Sequence, residues 1–581
     1  MSSDSVATQG FSIKLPGASP GASLVEPLIT IAPHASAYDA SSYARDEQGW
    51  LALHGSLHNR LILAAQLGLP PDTATDRLLL AAIGRWPSDW QRRVDGTWVA
   101  AHADLERRSI TLYRDPSGCF GLFHARTSDG GLALAADLDT LFPLAGMEPS
   151  ISPPGLHEYL RLLDIAPPQT IHEGVRAVPA GEGVVLSADG AESEQAIPPA
   201  AFAPQPASLE EAADELERHL REAIRRRLDG IGQPATFLSG GVDSALICAL
   251  AARERPDLTA ITVGFEGHEY DETPIAAAIA RHLGIRHEVL RFSRDELVQA
   301  LTLAGRAMEQ PMADPALPVS LLAFEWGRQR FDAVLDGSGA DELVGAMPPR
   351  HKRLAVQWAA RIPTALRRGI ARGLARLPGL AGYRPIFDFE HPAEPLMRWH
   401  GFRREEIEAL TGTRVDLSHT RFYRVFERFA PADHYARHTA LLEAMPGDRL
   451  TQACRITGLD VRFPYWSPEV EALLRGLPQA LRWRPDSPKF ILRTLLARHV
   501  PRALWDVPKH GFDFPLHAFL TAEDFRLVRR YLLEADWWRW QILDAEAVAG
   551  YGRRFMSGEP GLTFRVWALV VLAAWLEGHA H

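Results

Sequence analysis

The sequence predicts two domains of different class: an α+β domain over residues 1–205, and an α/β domain over residues 206–581 whose last part is helical. Three observations carry this. Before residue 205, short apolar or alternating runs are separated by Gly, Asp, Pro or Ser turns, the pattern of an antiparallel sheet. The stretch AIPPAAFAPQPAS (196–208) is rich in Pro and Ala, has no period and reads as a linker. After it, short apolar strands alternate with helices at the spacing of βαβ units, which specifies a doubly wound parallel sheet.

The elements follow in order. GWLALHG (49–55), GTWVAAHAD (96–104), SITLYRD (109–115), FGLFHAR (120–126), GLALAAD (131–137) and GEGVVLSADG (181–190) are strand-like, and FSIKLPG begins a further run at Phe11. LHNRLILAAQLG (57–68) and TDRLLLAAIGRW (75–86) have helical spacing and are expected to pack on that sheet, giving a layered domain. LEEAADELERHLREAIRRRL (209–228) is acidic in its first turns and basic in its last, which complements a helix dipole. ATFLSG, TAITVGF (259–265), HEVLRF (287–292) and FDAVLDG (from 331) read as parallel strands, with helices over DSALICALAAR, 271–284 and 295–309. Residues 385–581 read as largely helical core material rich in Trp and Leu.

A length of 581 residues demands more than one core, and 46% apolar with 23% charged residues suits packed domains. Lys+Arg 62 against Asp+Glu 72 gives a net charge of -10, which argues against general nucleic-acid binding. Cys119, Cys248 and Cys454 are too few and too scattered for a disulfide framework or a structural zinc site, so a reducing compartment is expected. The N-terminus lacks a secretory pattern. RVWALVVLAAWLEG is short of the ~20 apolar residues of a membrane span and is expected to be a buried helix. The expectation is a cytoplasmic protein with no membrane and no nucleic-acid partner.

Two strand-to-helix loops carry the chemistry. In LSGGVDS, Gly240 and Gly241 let backbone approach an anion closely, while Ser239, Ser244 and the amides of the following helix start supply donors. Asp243 makes sense in an anion site if a divalent cation bridges it to phosphate. No G-K-[ST] follows, so this is no Walker A loop. In DGSGADE, Ser338, Gly339, Asp341 and Glu342 again set small residues and carboxylates at a strand end, and Asp243 with Asp341 forms a candidate Mg2+ pair. Glu342 is equally explained as a carboxylate offsetting a helix dipole. Loops at the carboxyl ends of parallel strands converge on one crevice even when far apart in sequence. A third patch, RALWDVPKHGFDFPL (502–516), places Lys509 between prolines and aromatics as a fixed charge for phosphate. Two acids and one Lys are what phosphoanhydride cleavage needs.

LSGGVDSALIC, TVGFEGHEYDE, MEQPMADPALP, DGSGADELVG, GLDVRFPYWSPEV, SPKFILRTLL and VPKHGFDFP resemble, in order, the signature blocks of the asparagine synthetase family. The N-terminal half, with VDGTWVAAHADLERRSITLYRDPSGCFGLF and ALAADLDTLF, is similar to that family's glutaminase domain. The resemblance implies a glutaminase-like sandwich followed by an adenine-nucleotide α-hydrolase-like synthetase domain. It implies ATP and Mg2+ as cofactors, a nucleotide site of Leu238, Ser239, Gly240, Gly241, Asp243, Ser244, Val263, Gly264, Gly337, Ser338 and Gly339, metal ligation by Asp243 and Asp341, and catalysis by Lys509. The implied reaction is adenylation of a carboxylate, with pyrophosphate released, followed by amine attack.

Departures from the pattern narrow the expectation. The family's glutaminases place Cys directly after Met, where this chain has Ser2; their N-G-E block reads His54-Gly55-Ser56 here; and their early H-R-G-P-D segment has no counterpart. A domain that makes no ammonia is expected, with Asp76 and the turn Arg114-Asp115-Pro116-Ser117-Gly118 serving structure. Ser338 stands where asparagine synthetases carry an acid. Together these point to an amine already present in the substrate, as in the lasso-peptide macrolactam synthetases the chain resembles. The expected substrate is a peptide with a free N-terminal amine and an internal Asp or Glu, and the expected partners are a leader-binding protein and a leader peptidase. The alternative is an asparagine synthetase, glutamine-hydrolysing or ammonia-dependent. A degenerate nucleotide-binding scaffold is the non-enzymatic reading, opposed by the intact loops. Residues 343–387 hold no Asp or Glu but nine Lys and Arg residues, either a solvated basic helix face or a docking surface for an acidic partner.

Overall fold

The computed structural model describes residues 11–15, 28–31, 40–187, 191–196, 206, 208–264, 271–345, 347–375, 377, 380, 383, 386–396, 401–430, 433–444, 449–506, 514–534 and 542–579. Lys509 and Ser2 lie outside them, as does most of the 196–208 stretch.

Among the described residues the first domain has eleven strands: β1 Phe11–Leu15, β2 Leu28–Ile31, β3 Ala40–Arg45, β4 Gly49–Leu57, β5 Gly96–Asp104, β6 Ser109–Arg114, β7 Phe123–Arg126, β8 Leu132–Ala135, β9 Val175–Ala177, β10 Glu182–Ser187 and β11 Glu192–Ala196. They form two antiparallel sheets, in the orders β2-β1-β8-β7-β9 and β11-β10-β6-β5-β4-β3. Between the sheets, Phe11, Ile13, Trp50, Val99, Leu112 and Leu134 close one core. The helices Arg60–Leu67 and Thr75–Arg85 cover the outer face of the second sheet through Leu51, Leu53 and Trp98. Two helices that the sequence reading left unassigned, Leu138–Ala145 and Pro153–Leu162, are capped by Asp137 and Ser152. Leu138–Ala145 buries Leu138, Leu141, Phe142 and Ala145 on one face, whereas Pro153–Leu162 is buried nearly all round from Gly155 on.

The second domain centres on five parallel strands: β12 Pro234–Phe237, β13 Thr259–Val263, β14 Arg286–Leu290, β15 Ala333–Leu335 and β16 Val461–Arg462, in the order β14-β13-β12-β15-β16. β16 is a strand within residues 385–581, which are otherwise largely helical among the described residues, as the sequence reads them. A two-residue strand carries no period, and only its neighbour β15 makes it a strand. The helix Leu209–Leu228 forms where its charge pattern predicts, capped by Ser208. The closing helix Thr563–Gly578 is a buried core helix: Trp567 and Trp575 donate to Ala313 O and Met308 O, each at 3.0 Å. Gly305 lets the helix Arg294–Ala307 press against it, since a Cβ there would meet Ala574 O at 2.4 Å. No helix among the described residues is long and apolar enough to cross a membrane.

Polar contacts bolt the two domains together. Asp95 of the first, fully buried, pairs with Arg227 at 2.6 Å and Arg226 at 3.0 Å from the second. Arg161 pairs with Glu394, Tyr159 donates to Ala568 O at 2.8 Å, and Thr451 donates to Gly118 O at 2.9 Å. Such pairs remain satisfied only while both domains stay docked.

Candidate active site

The site follows from strand order. β12 lies between β13 and β15, with Ala235 opposite Thr259 on one side and Val334 on the other. The connection after β12 runs to β13 on one side and that after β15 to β16 on the other, which makes the carboxyl ends of β12 and β15 a switch point and a natural ligand crevice. The loops that follow β12, β13 and β15 contain Leu238–Gly241, Gly264 and Asp336–Gly339.

The Ser239–Ser244 loop is held by its own hydroxyls. Ser244 Oγ accepts from Ser239 N at 3.1 Å and lies 2.9 Å from Ser239 Oγ, which accepts from Gly241 N at 3.1 Å. Gly240 N donates to Glu272 Oε2 at 3.1 Å, so an oxyanion already sits on the amide that the sequence assigned to phosphate. Leu238 supplies no side chain to the crevice. It is buried, its N–H bonds Ile261 O, and its carbonyl accepts from Thr262 Oγ1. Val263 ends β13, and Gly264 N continues its ladder to Leu290 O at 2.8 Å. A Cβ on Gly264 would meet Thr273 Oγ1 at 2.6 Å.

The second loop presses against the first at a glycine. A Cβ on Gly337 would lie 2.9 Å from Ser244 N and 3.0 Å from Asp243 C. Gly339 turns at φ +96° under Trp466, opening the helix Ala340–Val344 that carries Asp341 and Glu342. Ser338 donates from both its N–H (2.8 Å) and its hydroxyl (2.5 Å) to Asp336 Oδ1. The loop thus keeps a carboxylate beneath Ser338, although Ser338 itself brings no charge.

The structure brings Asp243 and Asp341 together about the ammonium of Lys489, a residue to which the sequence reading gave no role. Lys489 Nζ bonds Asp243 Oδ2 and lies 2.8 Å from Asp341 Oδ1. It stands at the start of the helix Phe490–Leu496, in the left-handed region at φ 57°, a conformation that sets its side chain toward the loops. Its signal was SPKFILR, read as a block without a role. Burial alone would lower the Lys489 pKa; the two carboxylates outweigh that and hold it well above the ordinary value. Glu342 is pushed up to about 7 by burial and then by Asp341. Tyr465 donates to Asp243 O at 3.4 Å; burial, then Asp243 and Asp341, raise its phenol well above the usual range.

An ammonium between two carboxylates is a cation site made of hard oxygen donors. No cluster of three or more His, Cys, Asp or Glu groups suited to a metal occurs among the described residues. Two carboxylates next to a phosphate loop fit Mg2+, which keeps most of its shell for water and phosphate oxygens.

In the first domain, His54 is buried with its ring 4.4 Å from Phe120, and Gly55 turns at φ +118° against Thr97 O. Arg114 donates to Gly118 O and Val178 O, and Asp115 accepts from Ser117 and Trp98 amides, a structural use of that turn. All three cysteines are buried and free. The Cys454 thiol is raised by its hydrogen bond with Cys119 and by burial, and burial pushes Cys248 up to about 12. Neither Cys454 nor Cys248 has the low-pKa surroundings of a nucleophilic thiolate.

Comparison with known proteins agrees with this geometry. Residues 215–577 match the family described as Asparagine synthase, and residues 36–196 match the Glutamine amidotransferase domain. A putative asparagine synthetase [glutamine-hydrolyzing] of Mycobacterium tuberculosis is 30% identical over 550 residues, 90% of this chain and 84% of the relative. Asparagine synthetase [glutamine-hydrolyzing] 1 of Bacillus subtilis is 25% identical, covering 84% of this chain and 80% of the relative. The carboxyethyl-arginine beta-lactam-synthase of Streptomyces clavuligerus is 24% identical, covering 79% and 72%. The pairing of a glutaminase-like sheet domain with an adenine-nucleotide α-hydrolase-like domain over matches of this reach makes the chain a member of the asparagine synthase family of ATP-dependent, amide-forming ligases.

Proposed function

We propose that the protein adenylates a substrate carboxylate between the Ser239–Ser244 and Asp336–Asp341 loops, and passes the acyl group to an amine that its N-terminal domain does not generate. The carboxylate oxygen attacks the α-phosphorus of ATP and pyrophosphate leaves. The amine nitrogen then bonds the acyl carbon, AMP departs with the C–O electron pair, and the ammonium proton passes to solvent. The observation that carries this reading is the meeting of Asp243, Asp341 and Lys489 beside the Ser239–Ser244 loop. Mg2+, held by Asp243 and Asp341, would neutralise the phosphates. Lys489 offers a fixed positive charge to the same oxygens, the role the sequence assigned to Lys509.

The amine is proposed to be ammonia taken from solution and the acid aspartate, a reading favoured by the relatives named asparagine synthetase. The buried cysteines and the enclosed His54 support an outside source of nitrogen. Ser338 favours a second reading, in which the substrate's own amine attacks and a peptide is closed into a macrolactam. That reading brings a leader-binding protein and a leader peptidase as partners.

One experiment separates these. The protein is incubated with ATP and Mg2+ together with aspartate plus labelled ammonium, aspartate plus glutamine, or a peptide with a free N-terminus and an internal Asp or Glu. Asparagine labelled from ammonium, with AMP and pyrophosphate formed alongside, supports the first reading. A peptide product lighter by one water supports the second. ADP and phosphate as the only nucleotide products would overturn adenylation, and glutamate released from glutamine would overturn the outside nitrogen source.

A further inference from the structure

Six of the eight exposed large apolar side chains among the described residues lie between Leu354 and Tyr383, inside the segment that has no acidic residue. Two helices carry the first three, Arg350–Ala360 and Thr364–Ala375, directly after the helix that holds Asp341. On the first, Arg350, Leu354, Trp358 and Arg361 recur at spacings of four, four and three, so they form one stripe. Leu354 is 53% exposed and Trp358 is 58% exposed, and on the second helix Leu366 is 61% exposed.

The opposite faces are fixed to the protein. Val356 and Ala359 bury against Ile386 and Phe389, and Gln357 bonds the His434 ring. Arg367 donates to Phe389 O at 2.5 Å, and Arg368 pairs with Glu405. The outward cations are different: Arg350, Lys352, Arg361 and Arg372 have no ion pair with a described carboxylate. Both helices thus present protruding Leu or Trp side chains beside cations that pair with no described carboxylate.

We propose that this surface docks on an anionic lipid bilayer. A peptide partner gains affinity from apolar anchors seated in a fitted pocket. Here the apolar groups project singly from the outward faces of two helices, the arrangement that suits insertion into the soft boundary between headgroups and acyl chains. Arginine beside them lets its stem follow the apolar groups while its head meets phosphate. In a chain of net charge -10, a local patch of this sign turns that face toward an anionic surface. The expectation of no membrane partner came from the lack of a spanning segment, and peripheral contact needs none.

The full chain is mixed with vesicles of phosphatidylcholine alone, or of phosphatidylcholine with phosphatidylglycerol, and floated on a gradient. Binding to the anionic vesicles only, weakened by added salt, is the expected result. The pair Leu354→Ser and Trp358→Ser, and separately the set Arg350→Gln, Arg361→Gln and Arg372→Gln, should each weaken binding at least about tenfold with the unfolding temperature unchanged. Equal binding to both vesicles, no binding to either, or binding unmoved by both sets of substitutions would overturn the proposal. So would capture of polyglutamate by this surface without capture of anionic vesicles.

Discussion

Lys489→Met tests the electrostatics of the site most directly, because Met keeps the stem and removes only the ammonium. In the wild type that ammonium compensates Asp243, whose side chain is 15% exposed, and Asp341, whose side chain is 48% exposed. Deleting one member of a buried pair costs about 3–5 kcal/mol, because the remaining charge loses the ion that compensates it. The Asp341 contact is half open to water and adds at most about 1 kcal/mol. A loss of about 3 kcal/mol in chelator is therefore expected, from the Asp243 side. Mg2+ should restore most of it, since a ligand at a hundred times its Kd stabilises by about 2.7 kcal/mol. The wild type should gain less from Mg2+, having a resident cation to displace. Urea unfolding followed by tryptophan fluorescence, in chelator and in Mg2+, measures all four states. Adding Asp243→Asn to Lys489→Met should recover stability without metal. Equal stability of the variant and the wild type in chelator, or equal gains from Mg2+, would refute the assigned charges.

Gly337→Ala should force the two loops apart, because its Cβ would meet backbone at 2.9 Å; a loss of about 1–3 kcal/mol and weakened ATP binding by calorimetry are expected. Asp95→Asn leaves Arg227 buried without its carboxylate, while Arg226 keeps Glu469, and should cost about 3–5 kcal/mol and expose the domain boundary to limited proteolysis. Glu158, fully buried, is raised by burial to about 7, so the folded protein holds its proton more tightly than the unfolded chain does. Its contribution to stability is complete below the unfolded value and is lost as pH rises through about 7. Glu158→Gln should flatten stability against pH in that window, and urea midpoints measured across it check the sign.

The reach of sequence reasoning differs between parts of this chain. The helix Leu209–Leu228 and the strands β5 and β6 appear where their periods place them, because each pattern is complete within its own element. The two glycine loops were legible for a related reason: close backbone approach and turn geometry are demands on single positions, and Gly, Ser and Asp answer them locally. The sequence by itself therefore determined two domains, their classes and two of the three charges at the site. Tertiary structure alone decided the rest. β16 is too short to carry a period, and it is a strand only because β15 offers it an edge. Lys489 looks like any solvated lysine until the helix Phe490–Leu496 packs and its φ of 57° turns the side chain between Asp243 and Asp341. Whether Ser338 faces an uncharged crevice depended on Asp336, two residues away and bonded to it. In each case the deciding energy lies in a contact between distant or folded-back segments, and such contacts have no signature in a one-dimensional pattern.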